Sequence, residues 1–342
     1  MLTKIDLRSD TVTRPTAGML DAMMSAKVGD DVFGEDETVH ALETKLAHML
    51  NMEAGLFCPS GTMTNQLAIK TFTQPMDEVI CDQTAHVYRY EGGGIAYHSL
   101  ASVRLLHGHR GILTADMIEE EINEENIHYP HSSLVVLENT VNKGGGACYT
   151  LDQLEPIHTL CNIKGLKLHL DGARLFNALA ATGDEAKHYG QFFDGMSICL
   201  SKGLGAPVGS VLLGSKDTIR KATKLRKVFG GGMRQAGFLA AAGIYALDHH
   251  VDRLAIDHQH AKSLADVLNS VSYVKAVMPV ETNIILFDVA AGFTGQGVAD
   301  ALFKKGILCN PTGPKTVRFV THLDVSPEMI DRAMETLIHL QP

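Results

Sequence analysis

No apolar run in the 342-residue chain approaches the roughly 20 residues that a membrane-spanning helix requires, so no membrane partner is expected. The opening residues, MLTKIDLRSDTVTRP, carry no apolar signal segment. The six cysteines, at 58, 81, 148, 161, 199 and 309, form no C-x-x-C pair. Together these features favour reduced, mostly buried thiols in a cytoplasmic setting over a disulfide framework. Positive charge is in deficit: 30 Lys and Arg against 39 Asp and Glu give a net charge of −9, which argues against nucleic acid as the main partner. The one basic run, RKATKLRK at 220–227, reads as a solvated helix face.

Nucleotide and metal signatures are missing as well. Gly313-Pro314-Lys315-Thr316 lacks the preceding glycine of a phosphate-binding G-x-x-x-x-G-K-[ST] loop, and Gly203-x-Gly205 lacks the third glycine of a dinucleotide turn. There is no H-E-x-x-H, no internal repeat and no low-complexity tract. Asp248-His249-His250 and Asp257-His258-Gln259-His260 read as solvated faces of a long helix rather than as a metal site, so no metal is expected.

What the chain does contain is a regular alternation. Short apolar strands at AGLFCPS (54–60), SSLVVLEN (132–139), LKLHLD (166–171) and MSICLS (196–201) are followed by loops or helix-period segments. That pattern predicts an α/β fold with a mainly parallel, mixed sheet sandwiched by helices. Residues 1–250 are expected to form a large domain, its polar first segment packing back onto the site, and residues 251–342 a smaller α+β domain. A continuous helical pattern is predicted over 232–271.

In such sheets ligands bind beyond the carboxyl ends of the strands, so the residues there are the informative ones. Ser60-Gly61-Thr62 opens a helix, where free N–H groups and the dipole suit a phosphate, although a plain N-cap by Ser60 or Thr62 explains the hydroxyls equally well. Asp171 ends an apolar strand and needs a partner, Arg174 being one candidate. Lys202 sits between two apolar runs in SICLSKGLGAPVGSVLL, where an unpaired ammonium is costly. A phosphate seat, an acid and a lysine on three strand ends share one explanation. Pyridoxal phosphate needs its phosphate held, its pyridine nitrogen kept protonated and its aldehyde bound as an imine to lysine. Gly203, Gly205 and Gly209 are expected to let the backbone approach that cofactor.

The blocks LRSDTVTRP, VGDDVFGED, PSGTMTNQLA, AHVYRYE, LENT, LHLDGARLFNA, CLSKGLGAPVGS, GGGMRQAG and RFVTHLD, spread over residues 5–325, resemble those of the L-threonine aldolases. The resemblance implies a pyridoxal-phosphate-dependent lyase of fold type I, the aspartate aminotransferase type, assembled as a homotetramer whose paired subunits build the sites together. It implies that Lys202 forms the internal aldimine, that Asp171 holds the pyridine nitrogen protonated, and that Ser60, Gly61 and Thr62 seat the phosphate. His86 is expected to stack on the ring. Ser9, Arg174 and Arg318 are expected around the substrate carboxylate or the phenolic oxygen. His128 occupies the place of a second active-site histidine, and Lys227 and Arg234 that of nearby basic residues. One departure is visible: many members read ENTHN where this chain has Val141 in the histidine's place.

The implied reaction cleaves threonine or allo-threonine to glycine and acetaldehyde. A base must take the β-hydroxyl proton, with His86, His128 or a bound water as candidates; ring stacking for His86 and a structural hydrogen bond for His128 are the plainer readings. Tyr88-Arg89-Tyr90 is expected to line the side of the pocket that senses the Cβ configuration. The rivals are a β-eliminating lyase or aminotransferase on the same cofactor, and a non-catalytic α/β scaffold that has lost it.

Overall fold

The computed structural model describes residues 4–342. Its strands, in chain order, are β1 (Ile5–Asp6), β2 (Ala54–Cys58), β3 (Asp77–Asp82), β4 (Ser102–Leu106), β5 (His131–Glu138), β6 (Lys167–Gly172), β7 (Gly195–Cys199), β8 (Ser210–Gly214), β9 (Val274–Val277), β10 (Ile284–Val289), β11 (Ile307–Leu308), β12 (Asn310–Pro311) and β13 (Thr316–Val320). Seven of them form one sheet in the order β2-β8-β7-β6-β5-β3-β4. All neighbours in it are parallel except β8, which runs antiparallel to both β2 and β7. Because β8 alone is reversed, β2, β3, β5, β6 and β7 present their carboxyl ends at one edge.

The apolar runs dictate this placement. Leu134, Val135, Val136 and Leu137 on β5 are all buried, as expected of a parallel strand covered on both faces. The covering helices carry their own start signals. Ser60 Oγ accepts from the Met63 N–H at 3.2 Å at the head of helix Gly61–Phe72, and Thr150 with Gln153 forms a capping box at the head of helix Leu151–Lys164.

A second core is built on the antiparallel sheet β12-β13-β10-β9. It gathers Ile285, Phe287, Phe319, Leu264, Leu268, Leu302 and Leu337, and it also takes in Ile5 and Leu7 from the opposite end of the chain. The first residues reach it because β1 pairs in parallel with β11. From there the chain runs back toward the large sheet, where Thr13 Oγ1 donates to the carbonyl of Lys202 at 3.0 Å.

The helix expected over 232–271 is two helices, Gly237–His249 and Leu254–Ser270. The break falls where the His250 ring bonds the carbonyl oxygen of Leu204 at 2.6 Å, a tertiary contact that ends the first helix. The solvated-face reading of the histidine clusters also fails in part: His250, Asp257 and His260 are buried, and Asp257 is held by a two-pronged bond to Arg253. Among the described residues no helix is long and apolar enough to cross a membrane.

Candidate active site

The carboxyl ends of β2, β3, β5, β6 and β7 deliver Ser60-Gly61-Thr62, His86, Glu138, Asp171 and Lys202 to one edge of the large sheet. At β2, Ser60 caps the following helix, and its first intrahelical bond runs from Thr64 N–H to Ser60 C=O. The N–H groups of Gly61 and Thr62 precede that bond and stay open for an anion. The N-cap reading of Ser60 is seen directly, and the backbone N–H groups beside it have no intrahelical partner.

Asp171 is 2% exposed. Its Oδ1 accepts from the Ala173 N–H at 3.2 Å and its Oδ2 from Asn65 Nδ2 at 3.0 Å. Arg174 is not its partner. The Arg174 guanidinium closes a fork on Asp10, with Nε to Oδ2 at 2.8 Å and Nη2 to Oδ1 at 2.7 Å. Burial alone pushes the Asp10 carboxyl up, but the Arg174 charge and hydrogen bonds, with help from Lys202 and Asn283, hold it at about 2.

His86 begins a short helix, His86–Arg89, at the end of the β3 loop. Its Nδ1 lies 2.9 Å from Glu91 Oε1 and 4.0 Å from Asp171 Oδ2. Burial lowers the affinity of this imidazole for a proton, yet the Glu91 hydrogen bond and the Asp171 charge outweigh it and raise the pKa above the ordinary value. These three residues are compact enough to suggest a cation site. Their oxygens already accept from Asn65, Gln66 and Ala173, so they form a hydrogen-bonded network instead. Tyr90 lies beside it, its ring 5.7 Å from the His86 ring, with Lys143 Nζ 5.5 Å from the Tyr90 centroid.

Lys202 is half-buried, less deeply set than its apolar flanks imply, and among the described residues no hydrogen bond to its ammonium is seen. Its charge acts on both Asp10 and His86. The glycines that follow serve the chain's own packing. At Gly205, with φ +80°, a methyl would meet Leu323 Cδ2 at 2.5 Å, and at Gly209, with φ +119°, it would meet the Phe57 ring at 2.5 Å.

From the smaller unit, Arg318 on β13 reaches the same edge. Nη1 bonds Asn142 Oδ1 at 2.9 Å, Nη2 bonds the Arg8 carbonyl at 3.0 Å, and Nε is buried without a partner among the described residues. Burial and the neighbouring Arg174 charge lower its pKa from the ordinary value. Ser9 is taken up locally as the cap of a one-turn helix, accepting from Thr11.

Several expected residues are not brought here. His128 is exposed in the loop before β5, at the amino ends of the parallel strands, with its backbone bonded to Asn126. Lys227 is exposed, and Arg234 pairs with Asp30 at 2.8 Å. Val141 is 1% exposed and packs into the core beside Glu138 and Tyr149.

Sequence reasoning assigned no role to Asp10, Asn65, Glu91, Glu138 or His169. Glu138 is fully buried and accepts from the N–H groups of His86 (2.8 Å) and Asn142 (2.9 Å). Burial and the Asp171 charge push it up to about 7. One signal was available: polar residues at alternate positions of an apolar strand, His169 and Asp171 in LHLD, face the same side.

The mostly parallel seven-stranded sheet, with its separate small antiparallel sheet, is that of the fold type I enzymes, which use pyridoxal phosphate. Solved structures bear out the fold. A Leishmania major threonine aldolase superposes with a TM-score of 0.84 at 22% identity, covering 97% of this chain and 98% of that one. A Sphingomonas wittichii serine palmitoyltransferase gives 0.77 at 15% identity, over 98% and 86%.

Residues 6–292 match the Beta-eliminating lyase family. Low-specificity L-threonine aldolases are similar over most of their length: that of Escherichia coli (strain K12) is 42% identical over 327 residues, 95% of this chain and 96% of the relative. That of Saccharomyces cerevisiae is 41% identical over 310 residues, 89% and 78%. The chain belongs to the threonine aldolases of the Beta-eliminating lyase family.

Proposed function

We propose that the protein is a pyridoxal-phosphate-dependent lyase that cleaves the Cα–Cβ bond of L-threonine and L-allo-threonine to glycine and acetaldehyde. The observation that carries this is the convergence of Lys202, Asp171 and Ser60-Gly61-Thr62 at the carboxyl ends of β7, β6 and β2, in a chain 42% identical to a low-specificity L-threonine aldolase. The residues fit the cofactor: the Gly61 and Thr62 N–H groups are open, Lys202 is unbonded among the described residues, and Asp171 is fixed by two donors.

Pyridoxal phosphate, which Lys202 would hold between turnovers, would supply an electron sink for the bond broken at the substrate Cα. The chain does the rest. Gly61 and Thr62 hold the phosphate with the helix dipole. Asp171 would keep a proton on the cofactor's ring nitrogen, and the His86 imidazole would pack on that ring. Arg174 has two nitrogens committed to Asp10, which leaves Nη1 for the phenolic oxygen. Arg318, with Ser9 beside it, receives the substrate carboxylate and so fixes which Cα bond is perpendicular to the ring. His86, raised in pKa and tied to Glu91, takes the β-hydroxyl proton directly or through water.

Assembly as a homotetramer in the cytoplasm belongs to the same proposal; exposed Phe33, Tyr97 and Val228 support an interface between copies. His128, also exposed, enters a site only if a neighbouring subunit lends it. β-Elimination is the second reading, favoured by the breadth of the matched family. Product analysis separates the two. With L-threonine, equal amounts of glycine and acetaldehyde are expected, whereas a keto acid with ammonia overturns the aldolase reading.

A further inference from the structure

Glu138 ends β5 beside Asp171, its register partner on β6, and is 7% exposed. Its two oxygens are divided between two loops. Oε2 accepts from the His86 N–H at 2.8 Å, and Oε1 accepts from the Asn142 N–H at 2.9 Å. Among the described residues neither N–H has another acceptor.

Each loop carries a part of the site. The His86 N–H opens the short helix His86–Arg89, at a position where a helix has no acceptor of its own. The ring of that residue is tied to Glu91 and is assigned the β-hydroxyl proton. Asn142, on the loop after β5, accepts from Arg318 Nη1 at 2.9 Å through its Oδ1. Arg318 comes from β13 of the smaller unit and is assigned the substrate carboxylate. One carboxylate thus stands between the two.

The choice of side chain is a matter of acceptors. Both donors are backbone N–H groups, placed by their loops, and a carboxylate meets them with two oxygens and no hydrogen. A glutamine of the same shape has one oxygen, and its NH2 group would face the other N–H. An apolar side chain would leave both N–H groups without an acceptor. The charge itself does not favour the fold: burial and the Asp171 charge push the carboxyl up to about 7. A neutral side chain would spare the fold that cost, so the carboxylate is explained by the two donors it holds.

We propose that Glu138 is a positioning residue of this site: its two oxygens lock the loop that carries His86 to the loop that anchors Arg318, and so hold the proton acceptor and the carboxylate-binding guanidinium in one register. The consequence for catalysis rests on the proposed reaction; the clamp itself does not. Glu138 acts on His86 directly and on Arg318 through Asn142.

Amide hydrogen exchange tests the clamp, read by mass spectrometry of peptides from the protein as purified, at pH 8, where Glu138 is ionised. In Glu138→Gln the one amide oxygen holds one N–H, so at least one of the His86 and Asn142 segments is expected to exchange faster, with the rest of the chain unchanged. Wild-type exchange in both segments, or faster exchange throughout, overturns the proposal. With pyridoxal phosphate bound, kcat/KM for L-threonine is expected to fall roughly tenfold. The released segment decides which constant moves: KM rises if it is that of Asn142, and kcat falls if it is that of His86. A purely structural carboxylate gives no such correspondence, and a mismatch between the two measurements counts against the proposal. Asn142→Ala keeps the backbone N–H and breaks the Arg318 arm alone. It is expected to raise KM about fivefold with kcat near the wild-type value, and an unchanged KM overturns the proposal. Wild-type protein that never binds pyridoxal phosphate overturns the reading of the site but leaves the exchange result standing, so the two failures are distinguishable.

Discussion

Arg174 and Asp10 meet through two hydrogen bonds of 2.7 and 2.8 Å, in a place where neither is more than 7% exposed. Asp10 comes from the N-terminal segment and Arg174 from the end of β6, so the pair ties the first residues of the chain to the edge of the large sheet. Asn283 of the smaller unit completes it, donating to Asp10 Oδ2 at 3.2 Å. Removing one partner of a buried pair leaves an uncompensated charge, at a cost of about 3–5 kcal/mol. Asp10→Asn is therefore expected to lower the melting temperature markedly; a variant that melts with the wild type contradicts this role.

The same pair sets an acid limit. The folded pKa of Asp10, about 2, lies below the ordinary 3.8. Its stabilisation, about 2 kcal/mol from that difference, is present above pH 4 and is lost as pH falls through 4 toward 2. Urea titrations of wild type and Asp10→Asn at pH 3 and pH 6 test this. The gap between the two proteins should narrow at the lower pH.

Glu138 works in the opposite direction. Its folded pKa of about 7 lies above the ordinary 4.5, so its contribution is fully present below pH 4.5 and is lost as pH rises through 7. The change is about 3 kcal/mol. Cofactor-free wild type should lose stability between pH 5 and pH 8, and Glu138→Gln should show a flatter profile over that window. Parallel profiles contradict the assignment.

Among the described residues Arg318 Nε is buried and unbonded, while the other two nitrogens are anchored to Asn142 and Arg8. A guanidinium held in this way is set for a carboxylate, and a lysine cannot reproduce the fork. Arg318→Lys is expected to raise KM for L-threonine about 10- to 100-fold, with a smaller fall in kcat. A fall in kcat alone contradicts carboxylate binding.

The strand ends were legible in the sequence because each apolar run stops at one chemically conspicuous residue: Asp171 after LKLHL, Lys202 after MSICLS, Ser60 after AGLFCP. The partners of those residues were not. Asn65 lies in the middle of a helix and His169 within a strand, and only the pairing of that helix with that strand gives either a reason to be polar. Asp10 and Arg174 are 164 positions apart, beyond the reach of local pattern. The helix break at His250 depends on a carbonyl 46 residues earlier, with no glycine or proline to announce it. Gly205 and Gly209 after Lys202 are required by Leu323 and Phe57, neighbours that no local pattern reveals.

The most direct measurement is borohydride reduction of the protein loaded with pyridoxal phosphate, followed by mapping of the modified peptide. A single adduct on Lys202, absent from Lys202→Ala together with the visible absorption band, is the expected result. An adduct that persists in Lys202→Ala, or one that maps to another lysine, contradicts the assignment of this sheet edge as the active site.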